Sequence, residues 1–304
     1  ELAGSARIRP AAPGGSADLR LSAPGATVAV KGEAQPDRGA GSVRAEVSDA
    51  TRLLAWARRL PGADRLPASA QASGRALLTG QWRGGWRDPT VQARLSVPSL
   101  DWRGSSDATA IQARGVQLEA SGRLAQLQLD ASGRVMQGER QLELRLAATG
   151  GRTTPNAPLA ASGWRATLGR LQAGVRDPAL GTGSWQLASR GPVPISWSPA
   201  QGGQLELGAG ELAITSPAPA SQAIVAWGPA RWGSGQLSTT GRITGLPLQW
   251  VERITGSKLA EAGVTGNVVF NGDWDARLGQ TLRVSAQLAR ASGDLTIVTT
   301  DPDT

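Results

Sequence analysis

Two carboxylates flank a tryptophan in Asp273-Trp274-Asp275, a spacing at which this sequence could do acid–base chemistry. Residues two apart on a strand face the same side, so the pair could approach as two glycosidase carboxylates do. The competing assignment is a pair of solvent-facing turn residues beside a buried tryptophan. A related stretch, Gly80-Gln81-Trp82-Arg83, carries Gln81 and Arg83 at the matching positions, which favours that second assignment. The glycine pairs of Gly181-Thr182-Gly183 and Gly208-Ala209-Gly210 precede no helical pattern and no Gly-Lys-Ser/Thr. They read as turns rather than phosphate cradles. Arginine with tryptophan is the pairing that single-stranded nucleic acid uses. Here the arginines are spread along polar faces and the tryptophans mostly sit beside glycines, so no nucleic-acid partner is expected.

Absent residue types narrow the chemistry further. The 304-residue chain has no histidine, cysteine or tyrosine. Nothing is left to take a nucleophile's proton near neutrality, which removes Ser-His-Asp and Cys-His sites. Structural zinc sites, haem ligated by His, Cys or Tyr, and cysteine-held iron–sulfur clusters go with them. No catalytic, cofactor-binding or metal-ligating residue is assigned, and the chain is expected not to be an enzyme. The net charge of +8 is nearly all arginine, with lysine only at Lys31 and Lys258. A GC-rich coding sequence would give such a bias, and net charge bears on association rather than fold.

The elements that carry these residues repeat. Leu54, Trp56, Arg59, Leu60 and Gly62 fall opposite Leu248, Trp250, Arg253, Ile254 and Gly256 at an offset of 194. Gly74, Gly80 and Trp82 then match Gly266, Gly272 and Trp274, and Val91, Ala93 and Leu95 match Val284, Ala286 and Leu288. This order predicts two copies of a helix-plus-hairpin module, over 49–148 with its following strands and over 241–304. In the second copy the strand is expected to end in Gly272-Asp273-Trp274-Asp275. Ser48 or Asp49 caps a helix over Ala50–Leu60, with Leu53, Trp56 and Leu60 on its apolar face. Pro61-Gly62 ends it. A second helix is predicted over Pro247–Thr255 with Leu248, Trp250 and Ile254 on its apolar face, followed by a helical turn over Ser257–Ala262.

Most of the remaining chain alternates with period two. Residues 1–48 read as a meander with strands at Asp18–Ser22, Thr27–Lys31 and Ser42–Val47. From Gly74 to Ala148, strand follows strand with one apolar face, and Ala-Ser-Gly-Arg at 120–123 and 131–134 punctuates strand starts. Segment 149–240 is richer in Gly, Pro and Trp, with strands at Trp164–Leu168, Trp185–Ala188, Gln204–Leu207 and Ile224–Trp227. The apolar faces are mostly Leu, Val and Ala, with a single phenylalanine, Phe270, and a single methionine, Met136. A packed sandwich fills its gap with more aromatics. A curled sheet lined by aliphatics leaves an apolar groove instead.

Gly245-Leu246-Pro247-Leu248-Gln249-Trp250 with Glu252 and Arg253, then Gly272-Asp273-Trp274-Asp275 and Ser292-Gly293-Asp294-Leu295, resemble the repeats of the TamB family. That family is the inner-membrane-anchored part of the translocation and assembly module of Gram-negative bacteria. The first copy carries Gly80-Gln81-Trp82-Arg83-Gly84-Gly85-Trp86 and Pro98-Ser99-Leu100-Asp101-Trp102. The resemblance covers 49–103 and 241–297, and the meanders between them fit in style. It implies a long sheet curled into an open trough, a β-taco with an apolar interior, spanning the periplasm. It further implies roles in phospholipid movement, as in the wider AsmA-like group, and in autotransporter and outer-membrane protein assembly with a TamA-like partner. The family's membrane anchor and partner-binding C-terminal region are absent from these residues, and a piece of a longer protein is expected. No catalytic residue belongs to the family, and none is carried over.

The expected fold is therefore all-β: an elongated, curled antiparallel sheet with two short amphipathic helices. The residues expected to line its apolar groove are Val91, Ala93, Leu95, Val116, Leu118, Leu127, Leu129, Leu142, Leu144, Leu146, Val284, Ala286 and Leu288. Phospholipid acyl chains are one occupant of such a groove. A sheet edge that templates client outer-membrane protein strands, and a closed sandwich or adhesin, are the alternatives.

Overall fold

The computed structural model describes residues 1–61, 67, 69–105, 108–154, 161–199, 203–217, 220–255, 263–279 and 281–297. The protein is all-β, a curled antiparallel sheet with two short α-helices among the described residues. Its contacts divide it between Ala166 and Thr167 into two units.

In the first unit each strand is hydrogen-bonded antiparallel to the next: β1 (Ala3–Ala11), β2 (Gly14–Ala23), β3 (Ala26–Ala34), β4 (Gly39–Val47), β5 (Gln71–Arg83), β6 (Thr90–Arg103), β7 (Ile111–Arg123), β8 (Gln126–Gln137) and β9 (Arg140–Arg152). Alternation puts Leu, Val and Ala on one face and Arg, Gln, Glu and Ser on the other. In two strands the sequence loses its phase. Val97 and Pro98 in β6 together face Ala76, and Gly115 and Val116 in β7 together face Gly133. Each is a bulge that changes the phase of its strand, so Leu100, after the one in β6, and Ala113, before the one in β7, both lie on the apolar face. Gly115 has φ +58°, open to glycine at little cost, and Pro98 sits where no ladder amide is needed. The Ala-Ser-Gly-Arg segments expected at strand starts lie inside β7 and β8 instead.

Helix α1 (Ala50–Ala57) joins β4 to β5. Asp49 is its cap, accepting the amides of Thr51 at 2.9 Å and Arg52 at 3.1 Å. The Gly25 carbonyl holds the strand-to-helix corner by accepting the amides of Ser48 and Asp49 at 2.9 and 3.1 Å. Gly25 has φ +81°, and a side chain there would run into the Asp49 carbonyl. The helix stops three residues short of the expected Leu60, because a residue before proline avoids the helical region. Leu60 consequently leaves the apolar face and is exposed.

The second unit holds shorter strands. Beyond β10 (Trp164–Arg176), β11 (Trp185–Ser189) and β12 (Val193–Ser198) fill one strand position. β13 (Gln204–Leu207) and β14 (Gly210–Thr215) share the next, and β15 (Gln222–Trp227) and β16 (Ala230–Gly233) the one after. The breaks fall at Arg190-Gly191-Pro192, Gly208-Ala209 and Gly228-Pro229, where proline lacks a donor or glycine weakens the strand. β17 (Gln236–Pro247) spans both halves again, and α2 (Leu248–Thr255) follows it directly. Pro247 thus ends a strand rather than opening the helix. A separate ladder pairs β18 (Val264–Gly266) with β21 (Leu295–Ile297), and β19 (Val269–Leu278) pairs β17 on one side and β20 (Leu282–Ser292) on the other. The side chain of Ile254 and the turn expected over Ser257–Ala262 lie outside the described residues.

Candidate ligand-binding face

The register of the first unit turns the alternation into continuous rows. One crosses all nine strands as Ala6, Leu19, Val30, Val43, Gly80, Ala93, Ala120, Leu129 and Ala148. Two residues along, a second row contains Leu21, Val28, Ala45, Leu78, Leu95, Leu118, Ala131 and Leu146. A third contains Trp82, Val91, Gly122 and Leu127. Val91, Ala93, Leu95, Val116, Leu118, Leu127, Leu129, Leu144 and Leu146 therefore share one face, and each stays half-buried. A two-layer sandwich would bury such residues almost completely. Among the described residues of this unit, only Ala50, Ala70 and Val97 are buried apolar residues.

The other expected lining residues are placed differently. Leu142 opposes Val135 near the β8–β9 turn, at the start of β9, and is 41% exposed because few neighbours reach that margin of the face. Val284, Ala286 and Leu288 belong to β20, whose one described partner is β19, and all three are exposed, Leu288 at 64%. They form an open edge, not a half-covered groove.

Tryptophan laid on glycine is how the faces keep their large rings dry without a second layer. Trp82 opposes Gly41, and a Cβ on that glycine would occupy the indole's place. Trp274 repeats this on Gly241, and Trp227 on Gly210. The Trp227 indole N–H donates to the Gly208 carbonyl at 3.0 Å, so the polar edge of that ring is also satisfied. The sequence showed the tryptophans. Their glycine partners lie 41 and 33 residues earlier in the two modules, and only register reveals them.

Helix α2 docks by its apolar face. Trp250 meets the Trp185 ring edge-on, with centroids 4.6 Å apart, over the fully buried Ala223. The two indole N–H groups donate to Ser221 Oγ at 3.1 Å and to the Leu180 carbonyl at 3.2 Å. Leu248, on the same helix, is also buried. In α1 the expected face residues Leu53 and Trp56 are half-buried, and the helix is tied by polar contacts. Thr51 Oγ1 donates to the Ala72 carbonyl at 2.7 Å, and Arg58 donates to the Ala70 carbonyl.

Asp273 and Asp275 do share a strand face, but within β19, which continues to Leu278 rather than ending in a turn. Asp273 accepts from Arg242 at 2.8 Å, and Asp275 from Arg277 at 3.1 and 3.2 Å. Each carboxylate is thus held by its own arginine. On the polar face of the first unit a cavity of about 730 Å³ spans β2 to β8, lined by Arg20, Lys31, Arg44, Arg94, Glu119 and Asp130 among others. Its arginines are each matched by a carboxylate, Arg20 by Asp18 at 3.8 Å, Arg44 by Glu46 at 2.8 Å and Arg94 by Glu119 at 2.6 Å, so it makes a solvated ladder rather than an anion site. No group of three or more potential metal ligands occurs among the described residues.

No family model, curated protein or solved structure matches this chain. The functional reading therefore rests on the faces themselves. Among the described residues no helix is long and apolar enough to cross a membrane.

Proposed function

We propose that this chain is a non-catalytic periplasmic segment of a TamB-like protein that bridges the inner and outer membranes, and that its apolar face carries phospholipid acyl chains. The observation behind this is the set of apolar rows on one face of the first unit, one of them crossing β1–β9, whose side chains remain partly exposed. Leaving such a face open to water is costly, and an acyl chain laid along it removes about 0.8 kcal/mol of exposure per methylene. The rows run across strands, so a chain lying in them meets Leu, Val and Ala at most steps, with glycine at Gly80 and Gly122. In this proposal the longer protein is tethered to the inner membrane and meets a TamA-like outer-membrane protein through regions outside these residues.

A photo-crosslinking residue at Leu95 or Leu118, with Arg94 as the opposite-face control, tests the reading in cells making the full-length protein. Phospholipid adducts are expected at the two leucine positions and not at Arg94. Equal labelling on both faces, or none, would rule the conduit out. A second reading is favoured by β20, an edge strand with Leu282, Val284 and Leu288 exposed. Such an edge can template an incoming strand of an outer-membrane protein. A probe at Leu288 would then capture unfolded client protein instead of lipid.

A further inference from the structure

At one end of the second unit the hairpin tips bring six large apolar residues into a single row: Trp197, Leu205, Trp232, Leu237, Leu278 and Leu282. All but Leu237 are more than a third exposed, Trp232 at 56% and Leu282 at 66%. A contiguous open patch with two indoles is unusual on a soluble surface and marks a place of contact. Adjacent on the strands, and so on the opposite face, runs Arg231, Ser238, Arg277 and Arg283. These four line a cavity of about 540 Å³ together with the turn residues Gly233, Ser234 and Gly279.

The arginine row is out of balance. Arg277 and Arg283 oppose each other directly, an arrangement that disfavours an antiparallel pair. The same clash occurs between Arg114 and Arg134, but there each guanidinium has a carboxylate, Asp101 and Glu143. At the rim, Arg277 has Asp275 and Arg231 has Glu206, while Arg283 has no ion pair among the described residues. Among the described residues the cavity lining contains no carboxylate.

We infer that this rim of the second unit docks on an anionic lipid surface. The hairpin tips enter the interface: the indoles and leucines sit at the level where headgroups meet acyl chains, and the arginines reach around to the phosphates. Charge and polarity together select that occupant. An apolar protein partner would satisfy the leucine row and leave Arg283 uncompensated, whereas anionic headgroups satisfy both faces. The inference does not depend on acyl transport by the first unit.

Because the chain has no cysteine, a single cysteine carrying an environment-sensitive dye reports position cleanly. Ser234→Cys places the dye at the rim, and Gln128→Cys places it on the polar face of the first unit. With the purified 304-residue chain and vesicles of phosphatidylglycerol and phosphatidylethanolamine, a blue shift is expected at 234 and not at 128. Arg277→Gln with Arg283→Gln lowers vesicle partitioning about thirtyfold, at roughly 1 kcal/mol per basic residue. Arg283→Lys retains most of the binding, which separates loss of charge from loss of fold. Phosphatidylcholine vesicles and high salt weaken it. No shift at 234, or partitioning indifferent to the arginine variants, overturns the inference. A shift at 234 that grows with protein concentration without vesicles overturns it in favour of a second copy of the chain.

Discussion

The two helix-plus-hairpin modules share a lattice and differ in how the helix is held. In both, Gly-x-apolar before the helix meets Gly-x-Trp after it: Gly41 and Val43 oppose Trp82 and Gly80, and Gly241 and Ile243 oppose Trp274 and Gly272. The helices diverge. α1 begins at Ala50 and α2 at Leu248, an offset of 198 rather than the 194 of the sequence match, so the matched tryptophans stand one helical turn apart. Trp250, in the first turn, reaches a packed cluster, while Trp56, in the last, stays half-buried. The third strands differ too. Val91 and Ala93 oppose Trp82 and Gly80, but Ala286 and Leu288 oppose Trp274 and Gly272, two residues away from the sequence match. Sheet pairing tolerates an even shift because it keeps every side chain on its own face.

If the helices are held as differently as their contacts show, truncation should separate them most. Trp250→Ala is expected to cost roughly 3–5 kcal/mol in urea unfolding, the range for deleting a buried large aromatic, and Trp56→Ala about 1–2 kcal/mol. Equal losses would mean that the two helices dock alike. The shared lattice should respond equally in both copies. Gly41→Ala and Gly241→Ala each force an indole off its strand, at roughly 1–3 kcal/mol of overpacking. Combining Gly41→Ala with Trp82→Leu should recover much of that loss, and strict additivity in the double-mutant cycle would separate the glycine from the ring. The smallest effect should belong to the first module. Asp49→Ala removes two capping bonds for about 1 kcal/mol, read as a lower melting temperature.

How much of this was legible follows from what each signal depends on. Period-two alternation marked β6 to β9 and Asp49 marked the start of α1, because both are consequences of local backbone geometry, whereas the helix ended at Ala57 rather than at the expected Leu60. Strand β1 was not recognised, since Ala3–Ala11 alternates weakly and both faces of it are exposed. Leu142 and Leu288 carry the same pattern as Leu95 and Leu118. What separates them is the neighbouring strand, which their own segments do not encode.

The sequence alone determined the all-β class, the two short helices, the phase of each apolar face and the loss of His- and Cys-based chemistry. These follow from residue types and nearest-neighbour sterics. Tertiary structure alone decided which glycine lies beneath each tryptophan, where bulges restore the apolar face and which leucines stay open at an edge. It also set Arg277 against Arg283. Each of these is a matter of register between strands, and register joins residues that sequence distance keeps apart.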